Sequence, residues 1–522
     1  MALWTATTGP RIRGERQILA LAGLTAAYLA AMLWFSRFHL LDDALIHLRF
    51  AELLIEHGFF TADGRAASFG TSSPAFVLLA AMLHALAPSD FTTKILSVGF
   101  YLAFVVGLGA LALRSNGSAR TGWLLLLALA LTPMALRWLT DGMETSFAAA
   151  IALLLGIATA RVRTAAVLPA LALFALGMAA VLTRIEMTLL VALAALAITL
   201  RAGAGGSRGL PHDAMCGMPL ALGGVVALML IWLMFGAVLP DTAIAKATGE
   251  AAPANSLAAI AISLAGALGF GAGLIALWLA GFGNRLHALA RNDWTSYAIA
   301  AVPNLALLVL WALISVRGQY VQGIRYILPA LIFMIAANTA MSRTRETGLP
   351  WLHGISVSRL VKAGLALYVA VIGFEFTKFQ AIVDGRTAAF LEMRDMNFEG
   401  LEGESGIAWD VGYLMYFTKA QICDVSGLIN GRRAASSTES TRLEDCLKRD
   451  IEFVFVTPEN ATRLIGKSGS RFVDWPICGH YVFRNVSDTA PHYLAVAPDR
   501  AAKICPQEYD GRPLKQAALR TS

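Results

Sequence analysis

The stretch Leu41-Asp42-Asp43-Ala44-Leu45-Ile46-His47-Leu48-Arg49 decides how the rest of the chain is read. Just upstream runs an apolar segment from Ile18 to Phe35, close to the ~20 residues that cross a bilayer. Downstream, apolar residues at Leu41, Ala44, Leu45, Leu48, Ala51 and Ile55 recur at i, i+3, i+4, i+7 spacing. That pattern predicts an amphipathic helix from Leu41 to Glu56, lying along the membrane surface and ended by Gly58. Two adjacent carboxylates open it, with His47 and Arg49 within two turns. A carboxylate at a helix start caps free backbone N–H groups and meets the positive end of the dipole. Capping accounts for one aspartate but not readily for two beside an apolar surface. Adjacent carboxylates can divide labour, one taking a proton while the other orients a donor or binds a cation.

Working outward, composition places the chain in a membrane. It is 57% hydrophobic and 15% charged, with a mean hydropathy of +0.62, against about a quarter charged in soluble domains. The net charge of +7 then marks cytoplasmic loops rather than a nucleic-acid surface. Arg11, Arg13 and Arg16 precede the first apolar run, which is too long for a signal peptide and lacks a small-residue cleavage site. A retained first span with a cytoplasmic N-terminus is therefore expected.

Further apolar runs lie at Phe91–Leu113, Thr121–Leu136, Ser146–Ala160, Ala165–Leu182, Met187–Leu200 and Met215–Leu239. Others follow at Leu257–Phe282, Tyr297–Val316, Ile324–Ala340 and Val361–Phe376. With the first run they make about eleven spans of a polytopic α-helical membrane protein. In that arrangement every inside loop is basic, carrying Arg114 and Arg120, Arg161 and Arg163, Arg201 and Arg208, Arg285 and Arg291, then Arg343, Arg345, Arg359 and Lys362. The C-terminus falls outside. Ala75 to Leu86, opened by Pro74, is expected as a juxtamembrane helix, because counting it as a span would invert every later loop.

A transmembrane part is thus expected over residues 1–378 and a small α/β domain outside the membrane over residues 379–522. In the latter a helix near Leu443–Lys448 and a buried strand at Ile451–Val456 are expected. Short elements are expected at Gly412–Phe417, Gln421–Val425, Tyr481–Arg484 and Tyr493–Ala497. Cys423, Cys446, Cys478 and Cys505 fall there, consistent with one or two disulfides in an oxidising compartment or with four buried thiols.

The outward loops hold the remaining unusual polar residues. They include Asp141 and Glu144, Arg184 and Glu186, Asp241 and Lys246, and Arg317 and Arg325. Singly, each is an ordinary interfacial or snorkelling charge. As a set they put acids and bases at one membrane face, with Arg184, Lys246, Arg317 and Arg325 available to a phosphate. Paired carboxylates beside cations at a lipid–water boundary suit transfer from a lipid-phosphate-linked donor. One aspartate deprotonates an acceptor hydroxyl, which attacks the anomeric carbon as the lipid phosphate leaves. Asp42 is favoured slightly over Asp43 as that base. No Walker or dinucleotide Gly-rich motif is present.

Several segments, in order, resemble integral-membrane glycosyltransferases of the GT-C superfamily, most closely the bacterial group that includes the mycobacterial terminal arabinofuranosyltransferase AftB. They are Asp42-Asp43-Ala-Leu-Ile-His-Leu-Arg49, His57-Gly58, Gly70-Thr-Ser-Ser-Pro74, Asp141-Gly-Met-Glu144-Thr and Leu182-Thr-Arg184-Ile-Glu186. Leu239-Pro-Asp241-Thr-Ala-Ile-Ala-Lys246, Gly323-Ile-Arg325-Tyr-Ile-Leu-Pro329, Asp410-Val-Gly412 and Asp424-Val-Ser-Gly427-Leu complete the series. Ile185 stands where relatives usually have Pro, and Asp241 where Asn or Ser is common. The resemblance implies a GT-C-like fold and a polyprenyl-phosphate-sugar donor. The transfer it implies is inverting or retaining, onto a polysaccharide, glycolipid or protein acceptor at the outer face of a bacterial cytoplasmic membrane. It implies Asp42 or Asp43 as base, and donor phosphate or sugar contacts from Arg49, Glu144, Arg184, Glu186, Asp241, Lys246, Arg317 and Arg325. Arabinofuranose is the leading sugar. Some members of the superfamily use a divalent cation and others none, and no metal ligands are assigned. The rival reading is a transporter or flippase, which calls for a polar site near the bilayer midplane.

Overall fold

The computed structural model describes residues 23–64, 67–115, 117–162, 167–203, 210–248, 320–341, 357–395, 399–484, 489–505 and 511–518. The expected spans Leu257–Phe282 and Tyr297–Val316, and Arg317, lie outside them. Helix α1 (Gly23–Phe35) leads into α2 (Asp42–His57), α3 (Pro74–Leu86), α4 (Thr92–Arg114), α5 (Gly117–Ala130) and α6 (Pro133–Thr140). Then follow α7 (Thr145–Arg161), α8 (Val167–Thr183), α9 (Met187–Gly203), α10 (Leu210–Phe235) and α11 (Asp241–Thr248). Two long helices, Tyr320–Met341 and Val357–Asp395, precede the C-terminal sheet.

Among the described residues, two segments are long and apolar enough to cross a membrane alone, Thr92–Arg114 and Met215–Phe235, and several shorter apolar helices accompany them. Buried side chains such as Tyr101, Leu108, Trp123, Leu155, Leu220 and Phe333 knit these helices into one core. The expected straight span Thr121–Leu136 is broken: α5 and α6 meet at 71°. The cause is local. Pro133 supplies no N–H and biases the residue before it away from helix. The Thr132 hydroxyl instead accepts from the Ala135 N–H and starts a new helix. The helix Val357–Asp395 likewise runs without a break past the expected boundary at residue 378.

Residues 405–496 build a five-stranded sheet in the order β2-β1-β3-β5-β4. Its strands are β1 (Ser405–Ala408), β2 (Gln421–Asp424), β3 (Phe453–Val456), β4 (Ile477–Arg484) and β5 (Thr489–Val496). β1 pairs in parallel with β2 and β3, whereas β5 is antiparallel to β3 and β4. The all-apolar Phe453-Val-Phe-Val456 run is buried on both faces, as a central strand requires. Disulfides join Cys423 to Cys446 and Cys478 to Cys505, while Cys216 is a buried thiol.

One core runs from the first loop into the sheet region. Leu40, Leu45, Leu48 and Ala51 pack in the same cluster as Val411, Tyr413, Leu414, Phe453 and Leu494. Helix α2 therefore does not rest on lipid with a single face covered. Ile46, His47 and Phe50, off its predicted apolar stripe, are buried as well, because α3 and the helix Gly412–Thr418 enclose it. Burying an aromatic or large aliphatic side chain contributes about 1.5–3 kcal/mol, so this shared core holds the two regions firmly together.

Candidate active site

Asp42 does not cap its own helix: the N-cap of α2 is Leu41, and no side chain bonds the free N–H groups. The Asp42 carboxylate reaches across the chain instead. Oδ2 accepts from the Gly412 N–H at 3.0 Å and Oδ1 from the Tyr413 N–H at 2.6 Å. That approach requires glycine at 412, because a Cβ there would lie 2.1 Å from the Asp42 carbonyl oxygen. Tyr413 closes the clasp with its hydroxyl on the Leu40 carbonyl, at 2.8 Å. Burial, with the charges of Asp410 and Asp43 adding to it, pushes the Asp42 carboxyl up to about 7.

Asp43 lies next to this clasp and, like Asp42, is partly exposed, and its charge acts on both Asp42 and Asp410. Asp410 leaves the end of β1 and bonds His492 on β5, Oδ2 to Nε2 at 2.7 Å. The imidazole is buried and stacks on Phe455, with ring centroids 5.2 Å apart. Neighbouring protein partly desolvates Asp410 and opposes its ionisation, but the hydrogen bond and charge of His492, with Arg386, outweigh that and hold the carboxyl below its ordinary value. Arg386, from the helix Val357–Asp395, bonds Tyr413 and acts on Asp42, Asp410 and His39. Three carboxylates and one guanidinium thus meet where the first loop touches the sheet region. Arg386 and His492 carried no signal in the sequence, since nothing there ties positions 386 or 492 to position 42. Asp410 lay in a recognisable Asp-Val-Gly segment.

Glu144, Arg184 and Glu186 do come together, in a separate buried network. Arg184 pairs with Glu144 at 3.2 Å and also with Glu186. His47 bridges Glu144 Oε2 at 3.2 Å and the Thr71 hydroxyl at 2.9 Å. Arg184 and Glu144 are each 1% exposed. Between them they tie α2, the loop before α3, the start of α7 and the α8–α9 turn. Gly142, at φ +90° just before it, faces Leu40 and Ala44 where a Cβ would lie 2.6 Å from Leu40 Cδ2.

The other expected residues go elsewhere. Arg49 pairs with Glu52 at 3.0 Å on the same helix, close to the Tyr416–Asp90 hydrogen bond of 2.7 Å. Asp241 is a staple: its N–H donates to the Phe69 carbonyl, its Oδ2 accepts from the Phe69 N–H, and Arg432 lies 3.5 Å from Oδ1. Burial raises its carboxyl above the ordinary value. Lys246 and Arg325 sit on α11 and on the helix Tyr320–Met341, with their side chains outside the described residues. Asp424 accepts from the Leu428 and Ile429 N–H groups, and burial pushes it up to about 6. The turn it shapes docks on the first loop, where Ser68 donates to the Ile429 carbonyl at 2.7 Å. Among the described residues no group of three His, Cys, Asp or Glu side chains is arranged to hold a metal ion.

No protein-family model and no curated protein matches the chain. Among solved structures it is similar to ArnT from Cupriavidus metallidurans bound to undecaprenyl phosphate. The TM-score is 0.52 and the identity 13%, over 93% of this chain and 99% of that one. The likeness is one of fold.

Proposed function

We propose that this protein is a GT-C glycosyltransferase moving a sugar from a polyprenyl-phosphate donor to an acceptor hydroxyl at the outer face of a bacterial cytoplasmic membrane. The observation that carries the reading is the meeting of Asp42, Asp43, Asp410 and Arg386, set in a fold whose solved counterpart holds undecaprenyl phosphate. Its N-terminus is cytoplasmic and its sheet region extracytoplasmic; two disulfides in that region support the placement. Arabinofuranose from the AftB-like group is the sugar that the sequence segments favour.

The two adjacent aspartates divide the work. Both oxygens of Asp42 already accept backbone N–H groups, so Asp42 holds the sheet region against the first loop. Asp43, beside it and outside the pair of amide contacts made by Asp42, is the residue we assign as general base. It takes the proton of the acceptor hydroxyl, whose oxygen attacks the anomeric carbon as the lipid phosphate leaves. Arg386 supplies positive charge to the centre, and Lys246, Arg317 and Arg325 remain the cations for the phosphate. Arg184 serves less readily, since Glu144 and Glu186 already engage it. Detergent-purified protein turns over a polyprenyl-phosphate sugar without a sealed compartment. A transporter would need two compartments and release no polyprenyl phosphate, and that result would overturn the reading.

A further inference from the structure

Asp410 differs from the other two carboxylates of the centre in where it comes from and what it keeps open. It is contributed by the sheet region, two residues before the Gly412 amide that holds Asp42. One oxygen, Oδ2, is taken by buried His492. The side chain is nonetheless 59% exposed, while the imidazole that orients it is 3% exposed and stacked on Phe455. A carboxylate fixed from behind by a buried donor, with its second oxygen left for another hydrogen, is built as an acceptor of hydrogen bonds. Nothing in the clasp uses it: Gly412 and Tyr413 bind Asp42 through their backbone amides. Its charge acts on Asp42 and Asp43, so whatever it binds lies next to the proposed base. Three carboxylates against the single guanidinium of Arg386 make this end of the centre acidic, which disfavours an anionic acceptor and favours a neutral one rich in hydroxyl donors, while the donor phosphate falls to the cations named above.

We propose that Asp410, oriented by His492, binds a hydroxyl of a neutral carbohydrate acceptor and sets the adjacent hydroxyl on Asp43. The sheet region thereby selects for uncharged sugar acceptors over phosphorylated ones. The proposal rests on the glycosyltransferase reading for its choice of reaction, but binding of the acceptor is measurable without turnover.

The experiment compares wild type with Asp410→Asn, His492→Leu and His492→Gln in detergent. Equilibrium binding of octyl arabinofuranoside and of its phosphorylated analogue is measured by titration, alongside acceptor and donor KM wherever the donor is consumed. Loss of one hydrogen bond to a charged group predicts about tenfold weaker acceptor binding in Asp410→Asn. The donor KM stays within about twofold, set by the lipid contacts elsewhere. His492→Leu weakens acceptor binding, and His492→Gln, which can still donate to Oδ2, restores most of it. Wild type binds the neutral glycoside at least about tenfold more tightly than the phosphorylated one, and Asp410→Asn narrows that gap. Equal acceptor binding in wild type and Asp410→Asn overturns the proposal. So does a donor KM that rises in step with the acceptor KM, which marks a structural role. A wild type that binds the glycoside through Asp410 but consumes no polyprenyl-phosphate sugar overturns the transferase reading alone.

Discussion

Two polar clusters flank helix α2, and they are unlike. The His47–Glu144–Arg184 network is buried, and its cation, imidazole and carboxylates pair with one another. The Asp42–Asp43–Asp410 cluster is half open, rich in like charge, and holds carboxyls displaced in opposite directions, Asp42 upward and Asp410 downward. A buried, paired network resists rearrangement and serves as a frame. Carboxylates whose proton affinities are pushed apart in an accessible place are where acid–base chemistry is found. The residues that look most alike in the sequence, acidic and basic pairs in outward loops, thus sit in quite different surroundings.

The contrast is broken most directly at Asp43. Asp43→Asn lowers sugar transfer by about 10²–10⁴-fold, with the thermal unfolding midpoint unchanged. Full activity in that variant would remove Asp43 from the chemistry. On the buried side, Glu144→Ala strands the Arg184 charge opposite Glu186 alone and costs about 3–5 kcal/mol of stability, read by thermal or denaturant unfolding in detergent. A variant as stable as wild type but inactive would move this network into the catalytic centre. Asp42→Asn has a smaller effect, about tenfold on transfer, because an amide can still accept one of the two N–H groups.

The same substitution carries a pH signature. Burial pushes the folded-state carboxyl of Asp42 up to about 7 from its ordinary value of 3.8, so between those values the folded protein holds a proton that the unfolded chain has lost. Stability contributed by Asp42 is therefore greatest below about pH 4 and falls as pH rises towards 7. Asp42→Asn removes that slope, and an unchanged difference between wild type and variant across pH 4–7 would refute the burial of this carboxyl. The smallest effect is expected at Arg49. Its ion pair with Glu52 is partly exposed, so Arg49→Ala changes stability by about 1 kcal/mol or less. Transfer changes by less than about threefold, and a larger loss of donor binding would return Arg49 to the site.

Much of the local structure was legible. The 3.6-residue period of Leu41–Ile55, the stop at Gly58 and the start at Pro74 each follow from local rules, and α2 and α3 appear where those rules put them. The apolar run of Phe453–Val456 announced its strand. Thr132-Pro133 is the local signal for the break between α5 and α6, masked in the sequence by the continuous apolar character around it. The pairing Cys423–Cys446 and Cys478–Cys505 was not legible, since four cysteines allow three pairings.

The chain by itself determined an apolar helical protein with its unusual carboxylates at the head of α2, because composition and period act over a few residues and need no fold to be recognised. Only the tertiary structure separated Asp42 from Asp43, by bringing the amides of Gly412 and Tyr413 onto one of them from some 370 residues away. The same packing placed Asp410, His492 and Arg386 beside the pair and drew Glu144 and Arg184 into a frame. The reason is physical: a carboxylate's role depends on burial, neighbouring charge and hydrogen-bond donors, and each of these is set by whatever distant segment the fold lays against it.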